Sequence, residues 1–295
     1  MVAESQNFKG GCLIKIEALL GSLKSAELRL AKTILKFPEE VIHLTMQELQ
    51  RKSGSSYATI YRFCKKAGYL GYKDFVRSLE LDVQKKSEDV YISAGFPISM
   101  EDPIEEIANK TFSHSQAVLE DTKKILDNHL LEEAAQMMAK ARRIHFIGTG
   151  TSGVIAKYAY TRFLRMGLSC IAETDPTMYK VIIALMEPQE VLFAISASGR
   201  SMGIVHATKL ANRKGIPVIS LSDFAISPLT KSSDINLYTT PRNTILFSDL
   251  DVPFITGQIN ILDILFARCC SIIGREAIER YQKSKSAADL EKAAK

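Results

Sequence analysis

The spacing of hydrophobic residues changes part-way along the chain. Up to about residue 85, apolar positions recur three and four residues apart, as in Ile60, Phe63, Cys64 and Ala67, which is the period of amphipathic helices. Beyond residue 142, short apolar runs alternate with helical patterns, which is the order of a parallel sheet covered by helices. The runs that predict strands are 143–147, 168–172, 191–195, 216–221 and 235–238. The pattern predicts a mixed fold, an all-α N-terminal domain followed by an αβα domain with a five-stranded parallel sheet.

Interruptions in these patterns set the predicted domain boundaries. Residues 1–87 form the helical domain, and residues 88–102, which hold no sustained helical period, form a linker. Residues 103–275 form the α/β domain, whose last element is predicted to be a long apolar helix over 252–273. Residues 276–295, rich in Ala, Lys and Glu, are predicted to be a charged tail, helical but exposed or frayed.

Two consecutive helices of the first domain are joined by a short turn. Thr45 and Glu48 form a capping box, in which each side chain accepts from a backbone N–H at the helix start. Residues 53–55, Ser-Gly-Ser, form the turn, and Ser56 can cap the helix that follows. Two helices joined by a short glycine turn are typical of a helix-turn-helix.

The outer face of the second helix of this pair is polar and basic. No acidic residue lies between Glu48 and Asp74, whereas six Lys and Arg residues do. Residues 1–85 hold 14 Lys and Arg against 9 Asp and Glu, a surplus equal to the +5 of the whole chain. A basic module favours a polyanion, and in operator DNA Arg62 could pair with guanine while lysines contact phosphates. A solvated surface helix would show the same face. The predicted DNA-binding residues are Ser56, Tyr57, Thr59, Tyr61, Arg62, Lys65 and Lys66.

Composition narrows the class of protein. An apolar fraction of 46% with 24% charged residues is typical of a soluble protein with a packed core. We predict that no apolar run reaches the length needed to cross a bilayer, and the first residues lack a signal core. A cytoplasmic protein without a membrane partner is therefore expected. The five cysteines contain no Cys-x-x-Cys pair and are predicted to be reduced packing residues, with neither a metal nor a cofactor.

Two loops at predicted strand ends carry the candidate ligand chemistry. The strand 191–195 ends in SASGRS at 196–201, and the strand 143–147 ends in GTGTSG at 148–153; a helical pattern follows each loop. Hydroxyl donors, a glycine that permits close approach and the free N–H groups of a helix start all suit a phosphate. An ordinary strand–turn–helix connection with serine caps would show the same residues.

The loop 148–153 also reads G-x-G-x-x-G, and Glu173 follows its last glycine by 20 positions. This spacing is the fingerprint of a dinucleotide site, in which the acid would bind the adenosine ribose. A dinucleotide needs only that loop, whereas a small phosphosugar needs many hydroxyl donors around one ligand. The presence of two loops favours the phosphosugar.

Three segments of the first domain resemble the N-terminal domain of RpiR-type bacterial transcription regulators: TMQEL at 45–49, ATIYRFCKK at 58–66 and GYLGYKDF at 68–75. That family joins a helix-turn-helix domain to a C-terminal sugar isomerase (SIS) domain, which binds phosphosugars. The resemblance covers nearly the whole chain and implies an SIS-like α/β domain here. Ser55 departs from the family, which more often has an apolar residue at this position.

The glycine loop of the SIS family and its S-x-S-G-x-[ST] phosphate loop correspond to the two loops described above. Arg200 stands where these regulators often have an acidic residue. Of the basic residues that many members carry before the final long helix, Arg242 is the nearest candidate here. The resemblance implies phosphosugar binding by Gly148, Gly150, Ser152, Ser196, Ser198, Gly199 and Ser201.

We therefore expect a regulator without enzymatic activity, a homodimer or homotetramer that binds operator DNA under the control of a hexose or amino-sugar phosphate. Its target would be a sugar catabolic operon. Two alternatives stay open. A phosphosugar isomerase would need a general base, for which Glu173 and His206 are candidates. A regulator that senses NAD(H) would use the loop 148–153 together with Glu173.

Overall fold

A computed structural model describes residues 11–93, 98–240, 243–247, 250–253 and 255–293. The chain divides into two compact units, each with its own hydrophobic core. The first unit comprises Met1–Ile125, Phe224–Ile226 and Thr240–Phe254, and the second comprises Leu126–Asp223, Ser227–Thr239 and Ile255–Lys295. A helical N-terminal region followed by a parallel α/β domain is confirmed as the fold class.

Amphipathic helices build the first unit. Leu30 and Ile34 of one helix meet Phe63 and Phe75 of two others in a single fully buried core. The ring of Phe75 lies edge-on to the rings of Phe63 and Tyr69, with centroids 6.1 and 5.6 Å away. The described helices of this unit are α1 (Cys12–Leu19), α2 (Ser25–Lys36), α3 (Pro38–Val41), α4 (Met46–Ser53), α5 (Tyr57–Lys66), α6 (Tyr72–Ser93) and α7 (Ile104–Ile125).

The predicted linker is shorter in the structure than the sequence pattern indicated. Helix α6 continues to Ser93, so residues 88–93 are helical, and residues 94–97 lie outside the described part of the chain. Between residue 72 and Ser93 there is neither a glycine nor a proline to end the helix. Helix α7, which we had placed in the α/β domain, belongs to the first compact unit, where Thr122 Oγ1 accepts the backbone N–H of Thr240.

The second unit is built on a five-stranded parallel sheet with strand order β2-β1-β3-β4-β5. Its strands are β1 (Ile144–Ile147), β2 (Cys170–Glu173), β3 (Val191–Ile195), β4 (Val218–Asp223) and β5 (Ile235–Thr239). Each predicted strand is present, with ends shifted by at most a few residues. The helices are α8 (Asn128–Lys140), α9 (Thr151–Arg165), α10 (Pro176–Leu185), α11 (Met202–Arg213), α12 (Thr256–Ile273) and α13 (Arg275–Ala293).

The two faces of the sheet are covered by different helices. Phe146 of β1 and Phe193 of β3 pack in one core with residues of α8, α9 and α12. Leu192 and Ala194 of β3 face the opposite way and pack against α10 and α11. All five residues of β3 are buried, as expected for a central parallel strand covered on both faces.

A short hairpin occupies part of the segment that we predicted as helix. Strands β6 (Asn243–Phe247) and β7 (Leu250–Pro253) pair antiparallel, with Thr244 opposite Val252. Residues 252 and 253 belong to this ladder, so the long apolar helix begins at Thr256 rather than at residue 252.

The C-terminal tail is helical, as predicted, but one face of it is packed. Ala277 of α13 is fully buried. The ring of Tyr281 lies edge-on to that of Phe266 on α12 at 5.8 Å, and the Arg165 guanidinium of α9 stands 4.7 Å from the Tyr281 ring centre. The prediction of an exposed or frayed tail was wrong for this face, because Ala277 belongs to the core of the second unit and Tyr281 packs on Phe266.

Helix α12 is long and apolar enough to cross a membrane by length and composition, contrary to our reading of the sequence. In the structure its Ile261, Leu262 and Leu265 are buried in the core, and the helix packs against α8 and α9. That environment is typical of a core helix in a globular domain.

Candidate functional site

Caps at both ends of the turn hold α4 and α5 in a helix-turn-helix arrangement. The Thr45 hydroxyl accepts the backbone N–H of Glu48 at 3.3 Å, and the Glu48 carboxylate accepts the N–H of Thr45 at 2.7 Å. The Thr45 N–H and the Thr45 hydroxyl, which both donate to the Glu48 carboxylate, hold the pKa of Glu48 below its ordinary value. At the start of α5, the Ser56 hydroxyl accepts the N–H of Thr59 at 3.2 Å. The predicted capping box and the predicted cap are thus both present.

Ser55 of the turn lies inside the domain. Its side chain is 2% exposed, and its hydroxyl donates to the carbonyl of Ala26 on α2 at 3.3 Å. A buried hydroxyl with a partner carries little penalty. The polar residue at this position therefore fixes the turn against α2 instead of loosening it.

Helix α5 separates a buried face from an exposed one. Ile60, Phe63 and Cys64 are buried, whereas Tyr57 and Tyr61 are about half exposed. Arg62 is exposed and its Nε donates to the carbonyl of Ala58 in the previous turn, while the Lys65 ammonium stands 5.7 Å from the centre of the Tyr61 ring. We call the exposed set the recognition face: Ser56, Tyr57, Tyr61, Arg62 and Lys65.

Two of the predicted DNA-binding residues have other contacts: Thr59 is buried, and Lys66 interacts with Ser22 and Glu27 of its own domain. Thr59 is 5% exposed and its hydroxyl is 2.9 Å from that of Ser56, so it helps to cap α5 from the inside. Thr59 lies one turn before Phe63 on the buried stripe, which the helical period could have shown. The Lys66 ammonium donates to the carbonyl of Ser22 at 3.0 Å and pairs with Glu27 at 3.3 Å. Its charge therefore ties α5 to the segment around α2.

The two ligand loops of the second unit lie at the same edge of the sheet. Loop 148–153, the glycine loop, follows β1, and loop 196–201, the serine loop, follows β3, which is paired directly with β1. The helices that follow, α9 and α11, lie on opposite faces of the sheet. This is the point at which the strand order reverses, and ligands of open α/β sheets bind in the crevice that opens there.

The glycine loop is closely packed at its first residue. A Cβ on Gly148 would stand 2.4 Å from the carbonyl oxygen of Ser152, so only glycine fits there. The N–H of Gly148 donates to the carbonyl of Glu173 at 3.3 Å. Helix α9 begins at Thr151 with no acidic residue in its first turn, which leaves a helix N-terminus suited to an anion.

The serine loop is held by internal hydrogen bonds. The buried Ser196 hydroxyl donates to that of Ser201 at 3.1 Å, and the backbone N–H of Arg200 donates to the Ser198 hydroxyl at 3.3 Å. Ser198 is exposed, and Ser201 is half-buried at the start of α11. The loop thus presents hydroxyl groups and a helix start at the same place.

Gly199 packs the serine loop against the loop that follows β4. Its φ of +61° lies in the left-handed region, and a Cβ would stand 2.1 Å from Ser227 Oγ. Its carbonyl accepts the N–H of Leu229 at 3.1 Å. Loop 227–233 after β4 therefore supports the serine loop from behind, and a larger residue at 199 would displace it.

Of the two candidate bases, Glu173 has its carboxylate engaged by backbone N–H groups and His206 is exposed on a helix. Glu173 Oε1 accepts the N–H groups of Thr174 and Asp175 at 2.7 and 2.8 Å, so this carboxylate caps its own turn. His206 lies on the exposed face of α11.

Sequence reasoning missed Asp223, the last residue of β4. Its N–H donates to the carbonyl of Ala197 in the serine loop at 2.9 Å, and its Oδ1 accepts the Thr239 hydroxyl at 3.1 Å. Burial raises the pKa of this carboxyl to about 7. The available signal was an aspartate at the carboxyl end of a predicted strand, beside the candidate ligand loops.

Both halves of the chain match known protein families. Residues 10–86 match the helix-turn-helix domain of the rpiR family, and residues 137–258 match the SIS domain. An uncharacterized HTH-type transcriptional regulator, YbbH of Bacillus subtilis, is 32% identical over 256 residues, which are 87% of this chain and 89% of that protein. The chain belongs to the rpiR family of HTH-type transcriptional regulators.

One further named regulator resembles this chain, and two solved structures share its fold. HTH-type transcriptional regulator HexR of Pseudomonas aeruginosa is 28% identical over 86% of this chain and 87% of its own. The NanR protein of Vibrio vulnificus, solved in complex with ManNAc-6P, has the same fold, with a TM-score of 0.57, 24% identity and coverage of 94% of this chain and 97% of its own. The sugar isomerase domain of an RpiR transcription factor from Sphaerobacter thermophilus superposes with a TM-score of 0.54 and 18% identity over 59% of this chain and 96% of its own.

We expect Gly199→Ala to destabilise this regulator by about 2–4 kcal/mol, because it adds a clash with Ser227 to the strain of a left-handed alanine. Gly215→Ala is the matched control, since φ there is +70° and a Cβ would meet open space. That control should cost only about 1 kcal/mol. Urea unfolding measures both, and equal losses would contradict the packing assigned to Gly199.

We expect Asp223→Asn to stabilise the second unit at neutral pH. The folded pKa lies above the unfolded value of 3.8, so the unfolded state ionises first and the wild type loses stability as pH rises from about 4 to about 7. The free energy of unfolding of the variant should exceed that of the wild type by about 1–3 kcal/mol at pH 8 and should equal it near pH 3.5. Chemical unfolding at both pH values measures the gap, and a gap independent of pH would show that the carboxyl is not perturbed.

Proposed function

We propose that this transcriptional regulator binds operator DNA through the recognition face and a phosphorylated sugar between its glycine and serine loops. The sugar sets the DNA affinity, and the target is a sugar catabolic operon. The observation that carries the proposal is the meeting of the two loops at the point where the strand order reverses, in a chain that also carries a helix-turn-helix.

The ligand edge suits a phosphate ester for three reasons. Serine hydroxyls donate to phosphate oxygens, and the starts of α9 and α11 add backbone N–H groups with a favourable dipole. Neither helix has an acidic residue in its first turn. The proposed ligand residues are the seven that the resemblance implied: Gly148, Gly150, Ser152, Ser196, Ser198, Gly199 and Ser201.

The hydrogen bonds of Glu173 favour the phosphosugar over a dinucleotide. In a dinucleotide site this acid would accept the hydroxyls of a ribose, but here it accepts two backbone N–H groups of its own turn. The same bonds weaken its case as the base of an isomerase, because a base must reach the proton that it removes. We propose a regulator without enzymatic activity; the relatives that the chain resembles are named as transcriptional regulators.

The recognition face suits the major groove of DNA. Arg62 and Lys65 supply charge, and the half-exposed rings of Tyr57 and Tyr61 can contact bases or backbone. Ser56 contributes the N-terminus of α5, which favours a phosphate. Sugar binding would change how the recognition faces of two chains fit paired half-sites, with a coupling of about 1–3 kcal/mol.

We expect Arg62→Ala to weaken specific DNA binding by about 1–3 kcal/mol, because a guanidinium paired with guanine would be lost. The duplex would be selected by the wild-type protein from a random-sequence pool, and fluorescence anisotropy would measure the affinity. Arg77→Ala, which removes an exposed arginine from α6, is the matched control and should keep the affinity. If both variants bind as the wild type does, Arg62 reads no base.

We expect at least one hexose or amino-sugar 6-phosphate to change the occupancy of that duplex, whereas the unphosphorylated sugars leave it unchanged. Ser198→Ala and Ser201→Ala should each reduce the effect about tenfold or more, since each removes a donor to the phosphate. Ser286→Ala, on the exposed face of α13, is the control and should respond like the wild type. A full panel without effect would refute the effector site.

A further inference from the structure

Asp223 lies next to the serine loop at the carboxyl edge of the sheet. The backbone ladder between β3 and β4 continues past Ile195, because the Ser196 N–H donates to the Leu221 carbonyl and the Asp223 N–H donates to the Ala197 carbonyl. Neighbouring strands are about 4.8 Å apart, which is less than the length of a hexose phosphate. A ligand held by the serine loop therefore lies within reach of β4.

The side chain of Asp223 emerges on the face of the sheet that carries α9 and the glycine loop. Side chains alternate along a strand, and Ile219 and Leu221 of β4 pack in the same core as α9. Asp223 continues that set, and its hydrogen bond to Thr239, its partner in the β4–β5 register, agrees with this direction. The carboxyl thus lies on the α9 face at the carboxyl edge of the sheet, on the strand next to the one that carries the serine loop.

Burial raises the pKa of Asp223 to about 7, although the hydrogen bond from Thr239 acts in the opposite direction. Strand β4 packs against β3, β5 and α11 and the turn 230–232. Arg200 follows β3 and is exposed, Lys231 is exposed, and burial raises the pKa of Tyr238 on β5 to about 12. Helix α11 carries His206, Lys209 and Arg213, all on its exposed face.

We propose that Asp223 lines the effector site and that the phosphate dianion binds together with a proton on this carboxyl, so that effector affinity falls as pH rises. The proposal rests on the phosphosugar site proposed above. An ionised carboxylate beside the serine loop repels the dianion, whereas the protonated group donates a hydrogen bond. Binding at high pH therefore requires the uptake of a proton.

Sulfate tests the proposal without knowledge of the sugar, because it remains a dianion from pH 6 to 8. With the full chain, isothermal titration should give a sulfate Kd that rises about fivefold to tenfold between pH 6 and pH 8. In Asp223→Asn the Kd should be independent of pH and close to the wild-type value at pH 6, because the amide resembles the protonated acid. His206→Gln is the matched control and should keep the wild-type pH dependence.

The outcomes separate this inference from the function on which it rests. Sulfate that binds the wild type equally at pH 6 and pH 8 overturns the proton linkage, as does a slope that survives in Asp223→Asn or disappears in His206→Gln. Sulfate that fails to bind at any pH, or that binds Ser198→Ala as tightly as the wild type, refutes the anion site itself.

Discussion

The pairing of β1 with β3 is the constraint on which the ligand edge depends. Along the chain, 43 residues separate the end of β1 from the start of β3, yet parallel pairing aligns Ile144 with Val191 and Ile147 with Ala194. Both loops therefore leave the sheet side by side. Because α9 and α11 then take opposite faces, the two loops diverge at this edge, which is where ligands of open α/β sheets bind. The hydroxyl groups of the glycine loop and the serine loop, which are distant in the sequence, therefore lie at the same edge of the sheet.

The carboxyl edge of the sheet also carries several groups that packing and stability alone would not favour. Gly199 has a left-handed backbone, Ser196 is buried with its hydroxyl on another serine, and Asp223 holds a carboxyl whose ionisation burial opposes. Each departs from what packing alone would select. Their concentration at one edge distinguishes that edge from the amino end of the sheet, where the Asp234 carboxylate accepts the N–H of Val218.

In the first unit the decisive interactions are caps. Thr45, Glu48 and Ser56 satisfy helix ends on either side of a short turn, and Ser55 ties that turn to α2 through Ala26. A helix fixed at its start presents a constant set of side chains. The recognition face is therefore a property of the whole helix pair, and Lys66 contributes to it by holding α5 in place through Ser22 and Glu27.

The two-part fold, the five strands, the helix-turn-helix and the two loops could be predicted from the sequence, because each depends on local periods and caps. Which side chains are available at those places depends on contacts between distant parts of the chain. Thr59 and Lys66 looked alike on a helical face, but one packs inward and the other meets an acid from a distant helix. Glu173 has the sequence spacing of a residue that binds a ribose, but its carboxylate accepts the backbone N–H groups of Thr174 and Asp175. Asp223 carried no motif, since its position beside Ala197 depends on strand register, which single-sequence patterns do not encode.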